Sequence, residues 1–160
     1  MNARDILFYG DRTLHGTLAR VPPSEWEREG VCGWWSVKNI VAHLVSFELV
    51  LVDVLRNQID GSDMPYLALY RDPGFNDKEV AKRQDKNAAD TLAEYEETHA
   101  IVMGLIEKLT PEKLREVGTI PWYGDAYSLD DLLVYTQYGH KREHSAQVAV
   151  FADVVDAEKG

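Results

Sequence analysis

The chain has 160 residues, 45% of them hydrophobic, and a formal net charge of −10. That length and composition fit one domain, residues 1–160, able to bury about two-thirds of the surface its unfolded form exposes. The acidic balance argues against nucleic acid and anionic membrane as partners, since both are bound through clustered Lys and Arg.

Apolar residues recurring at three and four spacing through Ala3, Leu7, Gly10, Leu14, Leu18 and Val21 predict a first amphipathic helix, stopped by Pro22-Pro23. Gly10 on that stripe marks an expected close backbone approach. A second helix is expected from the N-cap residue Ser36, with Trp35 before it and Gly61 closing it. Its stripe is Val37, Ile40, His43/Leu44, Phe47, Leu51, Val54 and Leu55. The third is expected to begin near Asp77 and to carry Val80, Ala88, Leu92, Tyr95, His99, Val102, Leu105, Ile106 and Leu109. Thr110-Pro111-Glu112 then opens a short turn. The last helix starts at Ser128, with Asp130 and Asp131 in its first turn, and runs to about Val155. Its stripe is Leu132/Leu133, Thr136, His140, His144, Gln147/Val148 and Phe151. No run alternates as a half-buried strand does, so the fold class is all-α. The connections at 22–35, 59–77 and 110–127 contain all six prolines and all four tryptophans. Loops so rich in aromatics are expected to fold against the end of a bundle or a ligand pocket.

No apolar run reaches membrane-spanning length, and Arg4 and Asp5 interrupt any signal-like start. Cys32 is the single cysteine, which leaves no intrachain disulfide and no zinc finger. A reducing cytoplasm is the expected location.

Three histidines stand on apolar stripes where Leu or Val would be ordinary: His43, and His140 and His144 one turn apart. Depth along a helix can be counted at about 1.5 Å per residue. If the second and fourth helices run parallel, His43 and the later pair miss each other by on the order of 10 Å. If they run antiparallel, the levels match, which requires a long crossover between helices two and three. The 59–77 connection can supply it, so an up-down-down-up four-helix bundle is expected. The same count puts His99 roughly 20 Å below His43, as a packing histidine. His15 is near the right depth but lies on the shoulder of its stripe, a boundary residue rather than the fourth ligand its depth would allow.

His140 and His144, four apart, can reach one ion, and His43 can approach from the facing helix. Neutral imidazole suits Zn, Ni, Cu or Fe(II). Three protein ligands leave a position for water or substrate, as in catalytic sites. Such an ion can generate hydroxide near neutral pH or hold a thiol as thiolate.

The segment Glu29-Gly30-Val31-Cys32-Gly33-Trp34-Trp35-Ser36-Val37-Lys38-Asn39-Ile40-Val41-Ala42-His43-Leu44 resembles the second-helix motif of the DinB/YfiT-like superfamily. Tyr138-Gly139-His140-Lys141-Arg142-Glu143-His144-Ser145-Ala146-Gln147-Val148 is similar to that family's H-x-x-x-H helix, and Phe75-Asn76-Asp77 to an Asn motif of one branch. The resemblance implies an up-down-down-up bundle and a divalent metal, often Ni or Zn, on His43, His140 and His144. It also implies a homodimer. Relatives include bacillithiol transferases, mycothiol-dependent isomerases and transferases, and enzymes that disarm a cyclopropane toxin. Their common chemistry is a metal-bound thiolate or water aimed at a small electrophile, so a low-molecular-weight thiol is an implied co-substrate. The mycothiol-dependent branch has Glu where this chain has His140, a departure within the site.

Glu48 and Glu143 are candidates to orient a ligand imidazole or act as general base, and Trp35, Asn76 and Trp122 to line a pocket. Cys32 precedes a helix N-terminus but has Glu27 and Glu29 nearby, which disfavour a thiolate. Two other readings use the same residues. A metal- or ligand-binding bundle without turnover would bind metal and transfer nothing. An interaction protein would keep its function without the three histidines.

Overall fold

The computed structural model describes residues 2–160, and among them all regular elements are helical. The first helix, α1, spans Ala3–Leu18 and is capped by the Asn2 side chain. A short 3₁₀ turn at Pro23–Glu25 follows the two prolines. Helix α2 spans Val37–Asp60, opened by a reciprocal capping box between Ser36 and Asn39 and closed by Gly61 in the left-handed conformation (φ 77°). Every residue from Ile40 to Glu48 is buried, so α2 is covered on all sides rather than along one stripe.

The third expected helix is two helices. Helix α4 covers Phe75–Ala81 and α5 covers Ala88–Ile106, after a small α3 at Pro65–Tyr70. Residues 82–87, Lys-Arg-Gln-Asp-Lys-Asn, offer nothing apolar to bury. Asn87 then caps α5 by accepting the Asp90 N–H at 2.7 Å. The crossover is therefore not a bare loop: α3 and α4 lie along α2, and the buried Asp53 carboxylate caps α3 by accepting the Tyr66 and Leu67 N–H groups. A turn of helix, α6, spans Pro111–Arg115.

The last helix is one rod in three parts. Helix α7 (Leu129–Leu132) starts from a second capping box, Ser128 with Asp131. A π-helical segment comes next at Leu133–Tyr138, and α8 runs from Gly139 to Lys159. Gly10 does accommodate a close approach, but from a ring rather than a backbone. A Cβ there would lie 2.9 Å from Cδ2 of Tyr138 in the π segment.

Two large apolar clusters fill the interior. One joins Leu14, Leu18, Ile40, Leu44, Tyr95, Val148 and Phe151. The other joins Leu7, Leu51, Leu55, Val102, Ile106, Leu129 and Leu133. Between them each long helix contributes one polar residue: Asp11, Glu48, His99 and Lys141. At the rim, Arg4 pairs with Glu107 at 2.8 Å, Arg20 with Asp153, and Arg28 with Glu158. No described helix is long and apolar enough to cross a membrane.

The Ser36 capping box satisfies two otherwise orphaned donors at the start of the central helix. Ser36→Ala is expected to lower unfolding stability by about 1 kcal/mol, read as a shift in urea midpoint at unchanged slope.

Candidate metal centre

His43 and His144 are buried and His140 is half-buried, and their ligating nitrogens all lie within 4.8 Å of one another. The Nε2 atom of His140 is 2.9 Å from Nε2 of His43 and 2.9 Å from Nε2 of His144. The structure thus brings together three of the residues singled out in the sequence, two from α8 and one from α2. The π segment ends immediately before this pair, and such segments recur at functional sites because they rotate the downstream side chains relative to an unbroken α-helix.

Burial depresses the imidazole pKa values. His43 is lowered to about 3 by loss of water and by its two histidine neighbours. His140 is lowered to about 3 by burial, then His144 and Lys141, with Glu48 opposing. His144 is lowered by burial, partly offset by Gln147 and Glu143. All three are neutral at pH 7 and have lone pairs to offer. His144 Nδ1 donates to Oε1 of Gln147 at 2.8 Å, which leaves its Nε2 unprotonated and facing the other two.

These residues fit a divalent ion. One ring nitrogen carries at most one proton, so His140 Nε2 cannot serve both neighbours well by hydrogen bonding alone. A tetrahedral ion with nitrogens at about 2.0–2.1 Å holds them about 3.3 Å apart, a little wider than the two 2.9 Å separations here and inside the 4.8 Å span of the set.

Aromatic rings enclose the triad. Trp35 lies over His43 with centroids 4.8 Å apart, and Phe47 contacts His43 at 4.8 Å and His140 at 4.1 Å. Tyr70 and Phe75 pack behind Phe47. On the far side of Phe47 is a cavity of about 230 Å³, lined also by Trp122.

Other expected residues stand elsewhere. Glu48 is no free base, for its carboxylate faces the core, 2.7 Å from Lys141 Nζ and 2.9 Å from His99 Nδ1. Burial pushes its pKa up, but Lys141 and His99 outweigh that and hold it below the usual carboxylate range. His99 is not some 20 Å below His43. The break before α5 resets the count and places it at the Glu48 level, buried and stacked on Tyr95. Glu143 is exposed on the outer face of α8. Asn76 is exposed as well and does not line the cavity, whereas its neighbour Phe75 points inward. His15 faces Asp11 and Glu96, away from the triad. Cys32 is half-buried against the first apolar cluster. Sequence reasoning passed over Phe47 and Gln147 as ordinary stripe residues. Gln147, three residues after His144, had a readable signal in that spacing.

The chain belongs to the DinB superfamily, whose family model matches residues 10–148. Among solved structures it is similar to mycothiol-dependent maleylpyruvate isomerase and to a histidine-to-alanine mutant of that enzyme. Both superpose with a TM-score of 0.67 at 14% identity, over 94% of this chain and 57% of the other. The chain therefore spans little more than half the length of that isomerase, and the likeness is one of fold. No curated protein is significantly similar to it.

The site's electrostatics generate two expected outcomes. Free imidazole titrates near 6.5, so between about pH 6.5 and 3 the unfolded chain binds protons that folded His43 and His140 refuse. Stability of the metal-free protein is then complete above that window and falls with pH inside it. The slope is up to about 1.4 kcal/mol per pH unit for each ring. A His43→Gln/His140→Gln variant should show a flatter profile between about pH 6.5 and 5, above the carboxylate range. The second outcome concerns Lys141→Met, which strands Glu48 as an uncompensated buried charge. It should cost about 3–5 kcal/mol in chemical denaturation, much of it regained when Glu48→Met is added.

Proposed function

We propose that this protein is a divalent-metal-dependent enzyme that uses His43, His140 and His144 to activate a thiol or water against a small electrophile, in the manner of a thiol S-transferase. The observation that carries the reading is the convergence of three neutral imidazoles, two buried and one half-buried, one of them held in its ligating tautomer by Gln147. Zn or Ni is the expected ion. When bound, it supplies a Lewis acid that lowers the pKa of a coordinated thiol or water.

The chain's own residues supply orientation and dryness. Gln147 fixes the His144 ring, and Trp35 and Phe47 keep water from the sides of the triad, where electrostatic interactions strengthen. In the transfer, a thiol loses its proton to solvent and its sulfur bonds to the electrophilic carbon. The leaving group departs with the electron pair of the bond it breaks. Thiol use draws support from the likeness to a mycothiol-dependent isomerase, and the sulfur donor is a low-molecular-weight thiol.

The helix pairing supports an up-down-down-up bundle. Gly10 meets Tyr138 and, further along both segments, Arg20 meets Asp153, so α1 and the last helix share a direction, while Arg4 meets Glu107 near the end of α5. A homodimer is part of the same proposal. Phe8, Tyr9, Tyr135, Val150 and Val154 are exposed apolar side chains that a second copy can cover.

A metal-binding bundle without turnover is the competing reading, and it has its own observation. Both carboxylates considered as general base are misplaced, Glu48 by its ion pair and Glu143 by its exposure.

Elemental analysis of tag-free protein should find about one divalent ion per chain, absent from a His43→Ala/His140→Ala variant. The loaded protein should then conjugate small thiols to chlorodinitrobenzene faster than that variant does. Metal without conjugation or hydrolysis of any electrophile would favour the binding protein; no metal after reconstitution would end both.

A further inference from the structure

The cavity beside the triad has a definite chemical character. Its nine lining residues include Phe47, Val50, Val54, Trp122 and Leu132, and none of the nine is acidic, basic or a histidine. An anion placed there would lose its water and gain no cation, in a protein whose net charge is already −10. At about 230 Å³ the space is small. A cavity of roughly 150 Å³ holds benzene, so this one takes a single substituted ring or a branched chain of similar bulk.

One wall is polar. Gln137 is 3% exposed and lines the cavity. Among the described residues its side-chain amide has no hydrogen-bond partner, and its nitrogen and oxygen are not sealed from solvent, so the amide edge stays accessible along the cavity wall. Beside it, Thr136 donates to the Tyr123 hydroxyl at 3.2 Å, which leaves the Tyr123 O–H free to donate. The cavity thus offers an apolar body and one neutral hydrogen-bonding edge. It is also tied to the triad, since Phe47 forms its wall and packs on His140, and Gln137 stands three residues before His140 on the same rod.

We infer that the electrophile recognised by this cavity is a small, uncharged and mainly apolar molecule, of about one ring, bearing a neutral hydrogen-bonding group that Gln137 meets. This rests on the proposed function for its word electrophile, but the binding preference can be read without any reaction.

The test compares para-nitrobenzamide with para-nitrobenzoate, which share a ring and differ in charge, by calorimetry on the protein as isolated and after metal removal. The neutral amide should bind at least about tenfold more tightly than the anion in both forms, because nothing in the cavity repays the carboxylate's lost hydration. Gln137→Leu should weaken the amide by about tenfold, the loss of one buried hydrogen bond. Thr136→Phe, at a half-buried position, should fill the space and remove binding while the circular dichroism spectrum and metal content stay as in the parent. Equal or tighter binding of the anion to metal-free protein overturns the inference. So does failure of both compounds to bind, or amide binding untouched by Thr136→Phe in a folded protein. Selective binding with no thiol transfer would leave this inference standing and remove the proposed reaction; transfer without the preference would do the reverse.

Discussion

Lys141 and Glu48 sit almost wholly out of water, 2.7 Å apart, and everything at the site depends on that pair staying together. A buried charge is tolerable only opposite its partner, so the pair fixes the level of α8 against α2. His99 from α5 joins the same carboxylate, and Asp11 from α1 lies 3.8 Å from His99 and accepts the Tyr95 hydroxyl at 2.9 Å. One residue from each long helix thus forms a polar layer between two greasy halves. A slide of α8 by one turn would part these charges as well as disturb the packing. Lys141 comes directly after His140 in the chain, so the constraint that registers the helices also sets where the histidines meet His43.

Two polar environments therefore lie back to back on the last helix, with opposite character. The Lys141 layer sets a cationic side chain against the Glu48 carboxylate, whose Oε1 lies 2.7 Å from Lys141 Nζ but has no aligned hydrogen bond. The histidine triad is neutral, its charge suppressed by burial and by the crowding of like rings. Phe47 and Trp35 pack against the triad and shield it from water. A set of lone pairs without protons or counter-charges is suited to a cation brought from outside, and the adjoining uncharged cavity is suited to a partner that brings no charge of its own.

Much of this fold was legible in the sequence because it derives from periodicity and caps. Ser36, Gly61 and Ser128 announce helix ends through local chemistry that tertiary packing does not alter. The placing of three histidines on buried stripes was legible for the same reason. The break at 82–87 was missed because apolar residues on either side, Val80 and Ala88, happen to continue one stripe. The error carried forward to His99, whose depth was counted from the wrong start. Glu48 was misjudged for a different reason: a carboxylate's role depends on its partner, and Lys141, some ninety residues later, gives no local sign that it is buried.

The π segment before His140 leaves a mark on how this chain must be compared with its kin. A π turn holds a residue more than the α turn it replaces, so the rod contains one residue beyond what its end points require. Against a relative whose last helix is α throughout, a faithful superposition opens a one-residue gap within 133–138. A gapless sequence alignment instead sets each later residue against a neighbour about 100° around the helix. A histidine of the triad would then be recorded as replaced in a relative that has it.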